Sequence, residues 1–258
     1  KIGDKGLFTK ELETALLAGE IDLAVHSMKD LPTKLPQGLF ISAMTERQDP
    51  RDVLVSKDNY NLQNLPPGAK IGTSSLRRRA QLLYKRPDLK VENLRGNINT
   101  RLAKLEKEGF AAIVLAAAGL SRLGLEDRIS IRFSPDEIVP AVGQGSLGVE
   151  SRENDERITK IVAVLDHWET RAAITAERAF LRALEGGCQI PIGAYGEVKK
   201  DGLVLTGVVA SLDGSRLMRQ TLVDAPENAA SLGEKLAELM RGQGAQEILN
   251  QVLQEIER

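Results

Sequence analysis

The chain has 258 residues with 35 Lys and Arg against 36 Asp and Glu, and this net charge of −1 argues against a general nucleic-acid binder. Its 42% hydrophobic and 28% charged residues exclude both a disordered chain and a membrane-spanning one, and they predict a soluble globular protein. The single cysteine, Cys188, excludes an internal disulfide and a thiolate zinc cluster, two histidines argue against a metal site, and a reducing, cytoplasmic setting is predicted.

Helical and strand patterns alternate over the first two thirds of the chain. A helical pattern from Leu7 to Leu16 stops at Gly19, and a strand pattern over residues 21–25 then leads into a loop at residues 26–30. Strands that alternate with helices predict mixed or parallel sheets with ligand crevices at the strand ends. Further strand patterns lie at 39–43, 53–55 and 113–116, and further helical patterns at 76–84 and 100–107.

The last third of the chain has its strands and helices in separate blocks, which predicts a small α+β domain. The predicted fold class is therefore α/β, with two α/β domains and one appended α+β unit. Helical patterns at 155–165 and 169–184 are followed by a glycine-containing loop at 186–191, by strand patterns at 194–198, 203–211 and 216–223, and by two closing helical stretches.

A local excess of positive charge lies inside the balanced chain. Ten basic residues stand against two acidic ones between Lys70 and Lys104, an excess of +8. A basic run is commonly a solvated helix face. Here, however, the hydroxyl-rich turn 73–75 precedes a helical stretch and offers N-cap oxygens and free backbone N–H groups beside Arg77 and Arg78. A second turn, at 94–101, puts two more arginines at a helix start, so we expect a ligand that carries several negative groups.

Two further residues allow both a structural and a functional interpretation. Cys188 is either an inert buried residue or, because two glycines precede it in a loop, a nucleophile or attachment point. Asp30 is either a turn former or a carboxylate placed against a cationic reactant. His26 and His167 are interpreted as structural, so no conventional Cys–His pair is predicted.

Seven strings occur in order along the chain. They are KGLFTKELE at 5–13, AVHSMKDLP at 24–32, ERQDPRD at 46–52, GTSSLRR at 72–78, LRGN at 94–97, PAVGQG at 140–145 and EGGCQIPIG at 185–193. Each string is weak alone. Together, at this spacing, they resemble the porphobilinogen deaminase (hydroxymethylbilane synthase) family from one end of the chain to the other.

The resemblance implies a transferase that joins four porphobilinogen molecules into the linear tetrapyrrole hydroxymethylbilane and releases ammonia. Its cofactor is a dipyrromethane, which the match places on Cys188 through a thioether, and Asp30 matches the catalytic aspartate. No metal is implied. The other cofactor-binding positions that match are Lys5, Ser27, Lys29, Thr73, Ser75, Arg77 and Arg78, and the substrate-binding positions are Arg95, Arg101, Arg122 and Gln144.

The family fold implies two lobes like those of periplasmic binding proteins, joined by hinges, and a C-terminal α+β domain. The expected bounds are 1–45 with 146–165 for the first lobe, 46–145 for the second and 166–258 for the C-terminal domain. Relative to the family pattern, the N-terminal part of the first lobe is absent, so we expect the chain to be inactive alone. Porphobilinogen is the expected partner of a monomer that binds neither nucleic acid nor a membrane.

Two other functions compete with this one. A non-enzymatic, two-lobed anion-binding protein of the periplasmic type would also use arginines at helix starts, but it gives Cys188 no role and requires a secretion signal. A nucleic-acid module would use the basic stretch alone. Tyr84 is the sole aromatic residue between Arg77 and Arg101, which argues against base stacking.

Overall fold

The computed structural model of the protein describes residues 5–184 and 190–256, with side chains from residue 9 onward. Eight α-helices lie within these ranges: α1 (Lys5–Ala18), α2 (Leu76–Lys85), α3 (Ile98–Lys107), α4 (Ala117–Ser121), α5 (Glu156–Val162), α6 (Trp168–Ala183), α7 (Ala229–Gly242) and α8 (Ala245–Ile256). Eleven strands lie within the same ranges: β1 (Ala24–Ser27), β2 (Leu39–Met44), β3 (Asp52–Ser56), β4 (Lys70–Gly72), β5 (Lys90–Glu92), β6 (Ala112–Ala116), β7 (Ile131–Arg132), β8 (Leu147–Arg152), β9 (Ile192–Lys199), β10 (Gly202–Ala210) and β11 (Leu217–Asp224).

The first lobe is built on the sheet β1-β8-β2, with α1 packed on it. Both strand pairs are antiparallel, so the predicted mixed or parallel sheet is wrong for the strands described here. The reason is that β8 returns from the second lobe and runs between β1 and β2 in the opposite direction. Sequence patterning did not predict β8, because its buried positions include Gly148, Glu150 and Ser151 rather than a row of apolar side chains.

The second lobe is built on the five-stranded sheet β5-β4-β6-β3-β7. The pairs β4–β5 and β4–β6 are parallel and the pairs involving β3 are antiparallel, so the predicted mixed sheet is confirmed here. Successive residues of a strand point to opposite faces, and both faces are buried. Leu54 and Val114 belong to one core cluster, whereas Val53 and Ile113 belong to the other.

Two chain segments, 45–51 and 133–146, connect the first two sheets. They lie side by side, and the backbone N–H of Gln48 donates to the carbonyl of Gly145 at 3.0 Å. Gly145 has a φ of +97°, and a Cβ there would lie 2.5 Å from the carbonyl oxygen of Gln48, so the close approach requires glycine. These paired crossings are the covalent connection between the two sheets, and the hinges implied by the resemblance remain a prediction.

The C-terminal unit is the antiparallel meander β9-β10-β11, covered on one face by α6, α7 and α8. Phe180 and Leu236 are fully buried in this core. Helix α6 also reaches the first lobe, where Ile174 packs with Met28 and Leu31. The predicted fold class, two α/β lobes with an appended α+β unit, is confirmed, and the domain bounds remain a prediction. No helix of the described ranges is both long and apolar enough to cross a membrane.

Candidate active site between the lobes

Asp30 closes a short 3₁₀ turn, Met28–Asp30, directly after β1. The turn is held from beneath: Met28 is buried, and its backbone N–H donates to the carbonyl of Ser146 at 3.1 Å. Gly143 of the second crossing lies against the turn, because a Cβ on Gly143 would be 2.7 Å from the Met28 Cβ and 3.2 Å from the backbone nitrogen of Lys29. Lys29 and Asp30 are half-buried. The turn that carries Asp30 is therefore fixed at the junction of the two lobes.

A buried carboxylate, Asp52 at the start of β3, organises the facing side of the second lobe. Arg77 donates from Nη1 to Asp52 Oδ2 at 2.6 Å, and Arg78 donates from Nε and Nη2 to Asp52 Oδ1 at 3.0 and 2.7 Å. Gln144 donates from Nε2 to the same Oδ1 at 2.9 Å. Burial alone would raise the pKa of Asp52, but the two guanidinium groups outweigh it and hold that pKa well below its usual range.

The guanidinium groups of this network are also bonded to backbone carbonyls. Arg77 donates to the carbonyl of Val139 at 2.7 Å, and Arg78 donates to that of Val114 at 2.9 Å. Both arginine side chains are nearly inaccessible to solvent. With two cations and one anion, the cluster of Arg77, Arg78 and Asp52 keeps one net positive charge at the junction.

Arg101 of α3 lies within electrostatic reach of both sides of the junction. Its Nε donates to the carbonyl of Gly96 at 2.8 Å, and its side chain is partly buried. Burial and the nearby charge of Arg78 lower the pKa of Arg101, and the negative charge of Asp30 partly offsets them. Arg101 therefore interacts electrostatically with Arg78 in its own lobe and with Asp30 across the junction.

Arg95 and Arg122 lie exposed on the second lobe. Neither forms an ion pair or a side-chain hydrogen bond with any residue that the structure describes. Arg95 precedes the N-cap of α3, where Asn97 accepts from the backbone N–H of Thr100 at 2.9 Å, and this confirms the helix start predicted at the second arginine turn. Among the residues with described side chains, no carboxylate pairs with either guanidinium group, as binding an external carboxylate requires.

The hydroxyl-rich turn before α2 caps that helix as predicted, but two of its backbone N–H groups are not free. Ser75 is the N-cap, and its Oγ accepts from the backbone N–H of Arg78 at 3.4 Å, as expected. The prediction of free backbone N–H groups is wrong for two of the three residues. Thr73 donates to the carbonyl of Glu92 at 2.9 Å, and Ser75 donates to the Thr73 hydroxyl at 3.2 Å, because this turn joins β4 to the edge of its own sheet.

Of the remaining predicted residues, Ser27 is half-buried at the end of β1, opposite Leu147. Cys188 and the side chain of Lys5 lie outside the described residues. The two histidines have structural partners, as expected: His26 Nε2 lies 2.8 Å from Glu150 Oε2, and His167 is the N-cap of α6.

Sequence reasoning missed another buried carboxylate near the junction, Glu177 of α6. Arg47 of the first crossing donates to Glu177 Oε1 at 2.5 Å, and the backbone N–H of Gly143 donates to Oε2 at 2.7 Å. The backbone N–H of Gly196 in β9 donates to Oε1 at 2.8 Å. Glu177 therefore ties both crossings to the C-terminal unit. The sequence signal for Glu177 is a charged residue on the apolar face of a helical pattern. The pattern does not indicate that this residue contacts the two crossings.

Two surface cavities, of about 630 and 420 Å³, contain none of the predicted site residues. They adjoin at Tyr195 on the open face of the C-terminal sheet. Burial, together with nearby Glu197, raises the pKa of Tyr195 to about 12, so its hydroxyl stays protonated. The charged side chains of the larger cavity are already paired with one another, as Arg51–Asp49, Arg219–Asp136 and Lys199–Glu197. These features make the junction at Asp30 the better candidate for chemistry.

Comparison with known proteins identifies the family. Residues 1–160 match the model for "Porphobilinogen deaminase, dipyromethane cofactor binding domain", and residues 171–242 match "Porphobilinogen deaminase, C-terminal domain". The chain is 57% identical over 258 residues to porphobilinogen deaminase from Pelotomaculum thermopropionicum, covering 100% of this chain and 83% of that protein. It is 55% identical over 252 residues to the enzyme from Moorella thermoacetica, covering 98% of this chain and 80% of that protein.

Among solved structures, the periplasmic aliphatic sulphonate binding protein SsuA from Escherichia coli matches 90% of this chain and 74% of its own. The sequence identity is 14% and the TM-score is 0.42, so this likeness says nothing about ligand or activity. The two family matches and the relatives above 50% identity carry the conclusion. The chain belongs to the porphobilinogen deaminase family.

Proposed function

We propose that the junction between Asp30 and the arginines of the second lobe is the catalytic centre of this transferase of tetrapyrrole biosynthesis. The reaction of the family joins four porphobilinogen molecules into hydroxymethylbilane and releases ammonia. The observation that carries the assignment is that the Asp30 turn of the first lobe is held against the second crossing by Ser146 and Gly143, where Asp30 interacts electrostatically with Arg101 of the second lobe. An anion-binding protein needs the arginines but has no use for a carboxylate among them.

Asp30 is the catalytic residue in this proposal. Loss of ammonia from porphobilinogen leaves a cationic pyrrole, and a fixed carboxylate beside the ring nitrogen stabilises that cation. The same carboxylate is suited to hold a proton during elimination and to release it afterwards. Because Asp30 sits on a turn pinned by Met28 and Gly143, its position is set before the substrate arrives.

The arginines bind the carboxylates of the rings. Each porphobilinogen ring carries an acetate and a propionate, so a growing chain is a short polyanion. Arg95, Arg101 and Arg122 have no protein carboxylate as a hydrogen-bonding partner among the described residues and are proposed to bind substrate rings. Arg77 and Arg78 supply positive potential from the buried network. Gln144 of the second crossing links that network to the first crossing, because its Nε2 also donates to the carbonyl of Pro50 at 2.7 Å. Lys5, Ser27, Lys29, Thr73 and Ser75 complete the proposed set.

The dipyrromethane cofactor fits this charge distribution, because its two rings bring four carboxylates to a junction that keeps net positive charge. When bound, it supplies the pyrrole carbon to which the first substrate ring is joined. Cys188 is the proposed attachment point. It follows α6, the helix that contacts both the Asp30 turn and the crossings.

Intact-mass measurement tests this assignment. The full-length protein, produced in a host that makes porphobilinogen, should carry the mass of two pyrrole units, and the Cys188→Ser variant should carry none. An unmodified wild-type protein that turns over no porphobilinogen would contradict the proposal. A modified Cys188→Ser variant would move the attachment to another residue.

We further propose that the enzyme is a cytoplasmic monomer. The single cysteine and the absence of a membrane-spanning helix among the described residues agree with this setting. Sedimentation at several concentrations tests the monomer, and a mass that rises with concentration would contradict it. The periplasmic anion-binding alternative is not favoured, because it leaves the family match without a function.

A further inference from the structure

Helix α6 contacts the chain immediately after Asp30 through one arginine. Arg178 donates from Nη1 to the carbonyl of Leu31 at 3.2 Å and from Nη2 to the carbonyl of Pro32 at 2.6 Å. These two residues directly follow Asp30. The guanidinium group is planar and rigid, so two parallel bonds to consecutive carbonyls fix both the position and the direction of this segment.

The contact of Arg178 is reinforced by packing around the same turn. Leu31 and Met28 are 3% and 1% exposed, and both pack against Ile174, one helical turn before Arg178 on α6. Proline at position 32 restricts its own backbone and that of Leu31. The segment that carries Asp30 thus has few conformations available, and its contacts with α6 of the C-terminal unit stabilise one of them.

The same helix has two other attachments relevant to the reaction. Glu177, adjacent to Arg178, binds both crossings through Arg47 and Gly143. Helix α6 ends at Ala183, five residues before Cys188 in the sequence. A single helix therefore contacts the Asp30 turn and both crossings, and in the sequence it directly precedes the segment proposed to carry the cofactor.

We infer that Arg178 is a positioning residue for Asp30: it holds the turn at a constant distance from the helix that leads to the cofactor cysteine. The inference rests on the proposed function, since it assigns Arg178 a role in the reaction only if Asp30 is catalytic. Displacement of a catalytic group by about 1 Å is enough to reduce turnover about a hundredfold. Loss of Arg178 should consequently reduce kcat more than it weakens substrate binding.

Arg171 provides a matched control on the same helix. It lies two helical turns earlier and donates to the carbonyls of Ile41 and Ser42 in β2, so it also docks α6 onto the first lobe. It additionally pairs with Asp166. Removing Arg171 weakens the contact between α6 and the first lobe at β2, a strand that does not carry Asp30. If weaker contact between α6 and the first lobe were enough to reduce activity, the Arg171 and Arg178 variants should both lose activity.

The experiment compares Arg178→Ala, Arg178→Lys and Arg171→Ala in the full-length holoenzyme, normalised to the fraction that carries the dipyrromethane mass. We expect Arg178→Ala to lower kcat at least about tenfold with KM within about twofold of wild type. Arg178→Lys, which retains a donor but not the planar fork, should recover part of kcat. Arg171→Ala should lower Tm as much as Arg178→Ala and keep its kcat.

Two results would overturn the positioning role. One is a normal kcat in Arg178→Ala, and the other is an equal kcat loss in Arg178→Ala and Arg171→Ala at equal loss of Tm. If Arg178→Ala does not fold, Arg178→Lys decides, because a positioning role requires a kcat below wild type in that folded variant. Failure of the proposed function itself looks different, since the wild-type protein would then lack both the cofactor mass and turnover.

Discussion

Arg78 directs two hydrogen bonds, from Nε and Nη2, at a single oxygen of Asp52, while Arg77 occupies the other oxygen. The carboxylate is completely buried, so it has no solvent to replace a lost partner. Arg78 is the same residue whose charge reaches Arg101. The position of the Arg78 charge that acts on Arg101 thus depends on an aspartate that solvent does not reach.

Replacing Asp52 with asparagine should destabilise the fold strongly. The change leaves two buried guanidinium groups without a counterion, and removal of one member of a buried ion pair costs about 3–5 kcal/mol. Urea unfolding measures the loss. Glu92→Gln is the control, because Glu92 pairs with Lys70 at 2.9 Å where both side chains are partly exposed, and such pairs contribute about 0–1 kcal/mol. Equal losses in the two variants would show that the buried network contributes no more than a surface pair.

Asp52 should also give the folding stability a specific pH dependence. Its pKa is lower in the folded protein than the value of about 3.9 expected in the unfolded chain. Its stabilising contribution is therefore complete above about pH 4 and decreases as the pH falls towards the folded pKa. The free energy of unfolding, measured between neutral and acidic pH, should fall less steeply below about pH 4 in Asp52→Asn than in wild type. Parallel curves would mean that Asp52 is not the titrating group.

Asp30→Asn should retain the fold and lose nearly all turnover. The amide is nearly isosteric with the carboxylate but carries no charge to stabilise a cationic pyrrole and no site for a transferred proton. We expect kcat to fall by about 10²–10⁴ with little change in Tm. Exposed Asp58 is the control, and Asp58→Asn should behave as wild type. Activity retained in Asp30→Asn would remove Asp30 from the mechanism.

Local patterns in the sequence predicted local features well. The hydroxyl-rich turn at 73–75 caps α2 as predicted, and a helix starts within the turn 94–101, although at Ile98 rather than Thr100. The strand that leads to Asp30 is present, although it begins at Ala24 rather than Ile21. These features depend on residues a few positions apart. The three strands predicted at 194–198, 203–211 and 216–223 were confirmed for the same reason, since each pattern is encoded by neighbouring residues.

Long-range pairing was not predictable in the same way. Asp52 and Arg78 are brought together by the sheet of the second lobe, and no short-range pattern indicates which of the local cations it neutralises. The excess of +8 therefore overstates the charge available to a ligand, because buried Asp52 offsets part of it. Strand β8 was missed because burial of Glu150 depends on its partner His26 in another strand.

Arg95→Ala and Arg78→Ala should both stall elongation, but for different structural reasons. Arg95 is exposed and has no ion-pair partner among the described residues, so its loss should leave Tm unchanged and remove a binding group for ring carboxylates. Arg78→Ala should also lower Tm, because it deprives buried Asp52 of a counterion. Intact-mass analysis after brief exposure to porphobilinogen should show partial chains on both variants. Normal turnover without stalled species in Arg95→Ala would exclude that residue from ring binding.

Gly143→Ala should impair the reaction beyond its effect on backbone strain. The residue has a φ of +72°, where an L-residue costs about 1–2 kcal/mol, and its Cβ would lie 2.7 Å from that of Met28 in the Asp30 turn. Gly109 offers a close control: its φ is +71°, and a Cβ there meets no atom within 4 Å. Gly109→Ala should thus show the conformational cost alone and keep its kcat. Gly143→Ala should lose more stability and also turnover, because Met28 cannot move without displacing Asp30. If the two variants retain the same kcat, contact with the second crossing does not set the position of Asp30.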